Sequence, residues 1–235
     1  MRVLVAVMAA TALAGVADAE RVTTRDYTFE YSYPREAAAI APLRAWLEAD
    51  RARLRRVTAR DAAAARRESA DATFPFHAYD TQKTWKVVTS TPRFLSLSFD
   101  RYRFTGGAHG NPSSGALLWD KMRRARLDPM RVFTSEAALE RIIAPRYCAR
   151  LKAERSQRLT PNITTGGMFD KCPPLGDLTL LLGSSDRQRI DRVGLIADPY
   201  VAGSYAEGAY EVTLPVTRAI VATVKPEYRA AFAAR

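Results

Sequence analysis

The sequence predicts an α+β protein of two lobes, each an antiparallel sheet with a packed helix. Three observations lead there. The elements run strand, helix, strands, strand, helix, strands, with no repeat period and no low-complexity linker between them. Hydrophobic residues make up 47% of the 235 positions, enough to bury one core or two small adjacent ones and too many for a disordered chain. A glycine-rich turn at Gly106 to Gly110 ends the first run of elements, which places the join near Gly110.

Val22 to Tyr33 alternates apolar and polar side chains, with Tyr27, Phe29, Tyr31 and Tyr33 on one face, and reads as a half-buried strand closed by Pro34. From there to about Glu68 the chain is Ala-rich, and Ile40, Leu43, Trp46, Leu47 and Leu54 form one apolar stripe of a helix, with Pro42 in an early turn. Thr84 to Thr89 and Phe94 to Phe104 alternate about a Thr91-Pro92-Arg93 turn, and Ser114 to Trp119 continues the meander. Thr134 or Ser135 caps a second helix, with Ala137, Leu139, Ile142 and Ile143 inward, that extends past Pro145 to about Arg155. Thr160 to Pro174 reads as loop. Leu178 to Leu182, Arg192 to Ile196 and Tyr210 to Val216 read as strands, and Thr217 to Val224 as a short helical turn.

Compartment follows from the start of the chain. Met1-Arg2, the apolar run Val3 to Val16 and Ala17-Asp18-Ala19 have the layout of a secretory signal peptide over residues 1–19, with cleavage between Ala19 and Glu20. A membrane anchor needs about 20 apolar residues, so the run is too short for one. The expectation is a periplasmic or secreted protein without a membrane span, and hence without a nucleic-acid partner. Cys148 and Cys172, the two cysteines, are expected to form a disulfide in that oxidising compartment. Two histidines, His77 and His109, leave little with which to build a metal site, and no cofactor is expected.

The net charge is +11, with 30 Arg among 36 basic residues, so the surface attracts polyanions. Arg53, Arg56, Arg60 and Arg67 lie on the outer face of the first helix. They read either as a solvated helix face or as a docking surface for an anionic polymer.

Two motifs bear on function. In Phe104-Thr105-Gly106-Gly107-Ala108-His109-Gly110, the glycines suit a close turn between the lobes, and His109 is either a structural histidine or a general base. The motif has neither the Lys-Ser/Thr ending of a phosphate loop nor a strand-to-helix setting. In Asp198 to Val212, Tyr200, Tyr205 and Tyr210 recur every five residues around Gly203 and Gly208, which suits a loop braced by aromatic packing or a Tyr-rich recognition surface. Glu207 is the acid that a catalytic reading would pair with His109. No nucleophile elbow is present.

Together these motifs resemble a two-domain extracytoplasmic family, RsiV-like, whose first domain also occurs in peptidoglycan deacetylases of the PdaC type. The resemblance is carried by F-T-G-G-A-H-G at 104–110, P-Y-V-A-G-S-Y-A-E-G-A-Y-E-V-T-L-P at 199–215 and K-P-E-Y at 225–228. It implies a PdaC/RsiV-like α+β domain over residues 20–110 and an RsiV-like α+β domain over 111–235. It also implies a protein-recognition module with lysozyme as one partner. The charge favours an anionic glycan or acidic envelope protein of the cell envelope. The expected function is thus non-enzymatic binding of an envelope component or a peptidoglycan-active protein. The rival is an envelope polysaccharide or peptidoglycan hydrolase using His109 and a carboxylate such as Glu207.

Overall fold

A computed structural model describes residues 16–70, 75–159, 167 and 169–235. Among them, nine strands form two sheets. The first sheet contains β1 (Val16–Thr23), β2 (Tyr27–Pro34), β3 (Tyr79–Ser90), β4 (Phe94–Phe104), β5 (Asn111–Asp120) and β6 (Ala125–Leu127), side by side in chain order. Residues 1–15 of the expected signal peptide lie outside the described residues. Residues 16–19 open β1, and a chain cut after Ala19 keeps the Glu20–Thr23 half of that strand on Tyr31–Thr28 of β2.

The alternating stretch expected as one strand is broken at residues 24–26. There Thr24 Oγ1 accepts from the amides of Asp26 (3.2 Å) and Tyr27 (3.0 Å) and folds β1 back onto β2. The expectation of a purely antiparallel first sheet is corrected at one pair. β2 and β3 are parallel, because α1 (Arg35–Ala38) and α2 (Ala41–Ala70) return the chain to the end of the sheet from which β2 started. The other neighbours are antiparallel.

The sheet does not end at Gly110. β5 pairs with β4 from Asn111↔Arg103 to Asp120↔Phe94, so the glycine turn joins two strands of one sheet, not two lobes. The lobes meet instead across this sheet. Leu95, Leu97, Leu117 and Trp119 face the α2 side and pack with Leu43, Leu47, Phe29 and Tyr31, whereas Phe94 and Leu118 on the opposite face join the core of the second lobe.

The second lobe places α3 (Glu136–Arg158) and α4 (Arg218–Thr223) against β7 (Thr179–Gly183), β8 (Arg192–Ala197) and β9 (Tyr210–Pro215), an antiparallel meander. Ser135 caps α3 by accepting from the Ala138 amide at 3.1 Å, and Thr217 caps α4 through the Ile220 amide. Helix α3 continues through Pro145. Cys148 on α3 is disulfide-bonded to Cys172, with Cα atoms 5.6 Å apart, which ties the helix to the segment leading into β7. Asp198, after β8, accepts from the Ser114 amide with both oxygens (2.9 and 3.0 Å), and Ser114 Oγ donates to Thr179 Oγ1 at 2.9 Å, so β5 is fastened to the second lobe. Among the described residues no helix is long and apolar enough to cross a membrane.

Candidate functional site

The four arginines singled out on α2, Arg53, Arg56, Arg60 and Arg67, are exposed and share one side of the helix. Their charge is unevenly available. Arg53 donates to Asp50 at 2.7 Å and Arg60 to Asp61 at 2.8 Å, while Arg56 and Arg67 make no ion pair among the described residues. Neighbouring arginines are also matched: Arg51 and Arg55 with Glu20, and Arg103 with Asp61. The face is basic but substantially neutralised, and exposed pairs of this kind contribute roughly 0–1 kcal/mol each.

The two motifs, far apart in the chain, come together at the tip of the β4–β5 hairpin. Gly106 turns with φ +87°, the left-handed region where a side chain is disfavoured. Gly107 lies in the same bend, without a positive φ and with open space around it. Gly110 is needed for closeness, since a Cβ there would lie 2.2 Å from the Tyr102 ring. His109 is exposed. Its Nδ1 lies 3.0 Å from the Gly110 carbonyl and its Nε2 3.3 Å from the Tyr200 hydroxyl. A carbonyl only accepts, so Nδ1 carries a proton, and in the neutral ring Nε2 accepts from Tyr200. The imidazole stacks on Tyr205, centroids 3.8 Å apart, and Tyr200 lies 5.9 Å from Tyr205. Tyr200 is 54% exposed, and its backbone has φ +71°, a strained setting for an aromatic residue.

Tyr210 and Glu207 are engaged with each other. Glu207 accepts from the Ser204 amide and from the Tyr210 hydroxyl, both at 2.6 Å, and closes a capping box with Ser204. Burial would raise its carboxyl, but the hydrogen bonds from Tyr210 and Ser204 hold it below the ordinary carboxylate range. Burial and the adjacent carboxylate push the Tyr210 phenol up to about 12. Gly203 gives room for the clamp, because a Cβ would sit 2.6 Å from Glu207 Oε2, and Gly208 takes φ +73° as the loop re-enters β9. His109 and Glu207 share no hydrogen bond. The structure thus brings His109, Tyr200 and Tyr205 together and uses Glu207, Tyr210, Gly203 and Gly208 to hold the loop. No group of three or more potential metal ligands occurs among the described residues.

A second cluster escaped the sequence reading. Lys83 on β3 donates to Asp50 Oδ2 at 2.8 Å, with the two side chains 9% and 5% exposed. Tyr31 donates to the same oxygen at 2.9 Å, and Trp85 Nε1 donates to Tyr31 at 2.9 Å. Burial alone would raise Asp50, yet donors from Lys83, Arg53 and Tyr31 hold its carboxyl below the usual range. The Lys83 ammonium also lies 4.1 Å from the Phe99 ring and 4.8 Å from that of Trp85. A signal was present on both elements. Asp50 falls on the stripe of Leu43, Leu47 and Leu54, and Lys83 falls between Thr81 and Trp85 on the inward side of an alternating strand.

Residues 22–112, from β1 to the start of β5, match the model of a family described as deacetylase PdaC. No curated protein matches the chain. Among solved structures it is similar to a DUF3298 family protein from Pseudomonas aeruginosa PAO1, with a TM-score of 0.55 and 18% identity over 93% of this chain and 97% of that one. It is also similar to a DUF3298 family member from Bacteroides fragilis NCTC 9343, with a TM-score of 0.48 and 16% identity over 86% and 91% of the two chains. At these identities the Pseudomonas likeness is one of fold.

Proposed function

We propose that this chain is an exported, non-enzymatic binding protein of the RsiV-like type, which recognises an anionic glycan or a protein of the cell envelope through the His109–Tyr200–Tyr205 surface. The reading rests on one observation: an exposed, backbone-strained tyrosine, Tyr200, meets with its hydroxyl a histidine that is itself stacked on a second tyrosine, Tyr205, while the nearby acid, Glu207, is committed to holding the loop. Stacked aromatic rings offer contact area at low entropic cost, whereas acid–base catalysis needs a histidine and a carboxylate free to act on one substrate. The commitment of Glu207 to Ser204 and Tyr210 favours the binding reading over a hydrolase that would use Glu207 as its acid. Similarity of residues 22–112 to the PdaC model supports an envelope setting, and the layout of residues 1–19 supports export with a mature chain starting at Glu20. Lysozyme is a candidate partner through the RsiV-like resemblance alone.

Sedimentation with purified peptidoglycan and pull-down from an envelope extract, at low and physiological ionic strength, test this. Tyr200→Ala and Tyr205→Ala should weaken retention at least tenfold, with unfolding unchanged for Tyr200→Ala. Arg56→Glu with Arg67→Glu should remove the salt-sensitive part. Retention indifferent to the tyrosine changes, or muropeptide release that depends on His109, would overturn the reading.

A further inference from the structure

We infer that the groove between α2 and the first sheet is a binding site for a carboxylated saccharide, separate from the Tyr200 surface. The groove has a volume of about 410 Å³ and is floored by Lys83 and Asp50, with Arg53 and Arg126 among its lining residues. One wall is aromatic. Trp46 and Trp85 meet edge to face at 5.8 Å, and Trp85 and Phe99 do so at 4.8 Å; Trp85 is buried between them, so the half-buried Trp46 and Phe99 carry the apolar wall against which the C–H face of a pyranose can pack.

The polar groups sort the ligand further. Lys83, Arg53 and Arg126 face Asp50 and Asp128, an excess of positive charge. Asp50 answers both Lys83 and Arg53, which leaves Arg126 without an ion pair among the described residues. The Arg126 guanidinium is exposed and lies 4.3 Å over the Trp46 ring, its donor edge free for the planar, two-oxygen acceptor that a carboxylate presents. Asp128 uses Oδ1 to accept from the Met130 amide at 2.8 Å, and its other oxygen is available to a sugar hydroxyl. A sugar C–H face against the part of Trp46 that Arg126 leaves uncovered, a carboxylate on Arg126 and a hydroxyl on Asp128 describe one acidic sugar unit.

The site also has a direction. A second cavity of about 370 Å³ shares Phe99, Ala116 and Asp128 with the first, which gives room for a further unit toward β7. At that junction Gly115 lets Phe99 lie across β5, because a Cβ there would be 2.3 Å from the ring. Inorganic phosphate would satisfy the cations and leave the aromatic wall unused.

The test is titration calorimetry with tryptophan fluorescence on the purified, disulfide-intact chain. Trigalacturonate is the acidic probe, cellotriose the neutral one and inorganic phosphate the anion without a ring. Trigalacturonate should bind saturably with a fluorescence change, and cellotriose at least tenfold more weakly. Arg126→Ala and Trp46→Ala should each lower the affinity for trigalacturonate at least tenfold, with Arg126→Lys in between, and Arg189→Ala, an exposed arginine between β7 and β8 outside both surfaces, should leave it unchanged. Unfolding curves identify variants that are folded. Equal affinity for cellotriose, full competition by phosphate, no binding of the acidic probe at millimolar concentration, or equal loss on Arg189→Ala and Arg126→Ala would each overturn the inference. Because Tyr200→Ala is read separately, by sedimentation and pull-down, failure of this site is distinguishable from failure of the envelope-binding function.

Discussion

Replacing Asp50 by Ala should destabilise the protein by about 3–5 kcal/mol, the range for stranding one member of a buried ion pair. The three donors on Asp50 do not contribute alike. Arg53 has a 63% exposed side chain and can turn to water at little cost. Tyr31 loses its acceptor but still accepts from Trp85 Nε1 at 2.9 Å, at a cost of about 1 kcal/mol. Lys83, 9% exposed and with Asp50 as its hydrogen-bond acceptor, is left with aromatic faces only and carries the rest. Lys83→Met should cost less, about 1–3 kcal/mol, because Asp50 keeps Arg53 and Tyr31. The double variant Asp50→Leu/Lys83→Met should lie well below the sum of Asp50→Leu and Lys83→Met measured singly, since replacing both charges by apolar groups of similar volume is often near neutral. A domain stability of about 5–15 kcal/mol keeps the single variants measurable by urea unfolding at pH 7. An Asp50→Ala cost under about 1 kcal/mol, or strict additivity in the double variant, would refute the claim that the pair is buried and coupled.

The glycine turn separates two neighbouring residues: Gly106→Ala should cost about 1 kcal/mol in thermal unfolding, and Gly107→Ala almost nothing, because φ is positive only at Gly106. Removing the disulfide with Cys148→Ser and Cys172→Ser should lower stability by about 3 kcal/mol for a loop closed over 24 positions, and alkylation of the wild type under non-reducing conditions should find no free thiol. Asp50, Asp191 and Glu207 all have lowered carboxyls in the folded state. Their stabilisation is complete above the unfolded carboxylate values of 3.8 for Asp and 4.5 for Glu and is lost as pH falls through the lower folded values. Acid unfolding should therefore set in below about pH 4, with a shallower slope in Glu207→Gln.

Local patterns were legible in the sequence to the extent that they depend on near neighbours. Tyr27, Phe29, Tyr31 and Tyr33 are buried on one face of β2, Leu43 and Leu47 are buried on α2, and Ser135 caps α3. Pairing direction was not legible, because alternation is the same in a parallel and an antiparallel strand, so β2 beside β3 needed the crossover made by α2. Glu207 shows a signal that was available and unused: Ser204-Tyr205-Ala206-Glu207 has the spacing of a capping box, which marks the acid as structural. His109 and Tyr200 are 91 positions apart, and nothing local in either segment encodes their meeting. Asp50 and Lys83 each broke an apolar pattern on its own element. Such a break has a physical meaning when it occurs on two elements that face each other, since one buried charge requires another.

The β4–β5 hairpin is the element on which both proposed surfaces depend. It is packed on both faces, with Leu97 and Leu117 toward α2 and Phe94 and Leu118 toward the second lobe, so it cannot shift without opening one core or the other. Its tip carries His109, its middle carries Phe99 over Gly115, and its base ends at Asp120, fully buried and paired with Arg93 at 2.8 Å. The 198–210 loop is held to this hairpin from one end by Asp198 on the Ser114 amide and is closed on itself at the other by Glu207 on Ser204 and Tyr210. The positive φ at Tyr200 falls between those two anchors, where the loop is over-determined, and strain of this kind persists when surrounding structure enforces it. Ordering of the exposed Tyr200 and the half-buried Tyr205 is therefore set by folding before any ligand arrives. An extended envelope polymer would meet a preformed surface at the hairpin tip and a preformed groove at its middle, with little left to organise on binding.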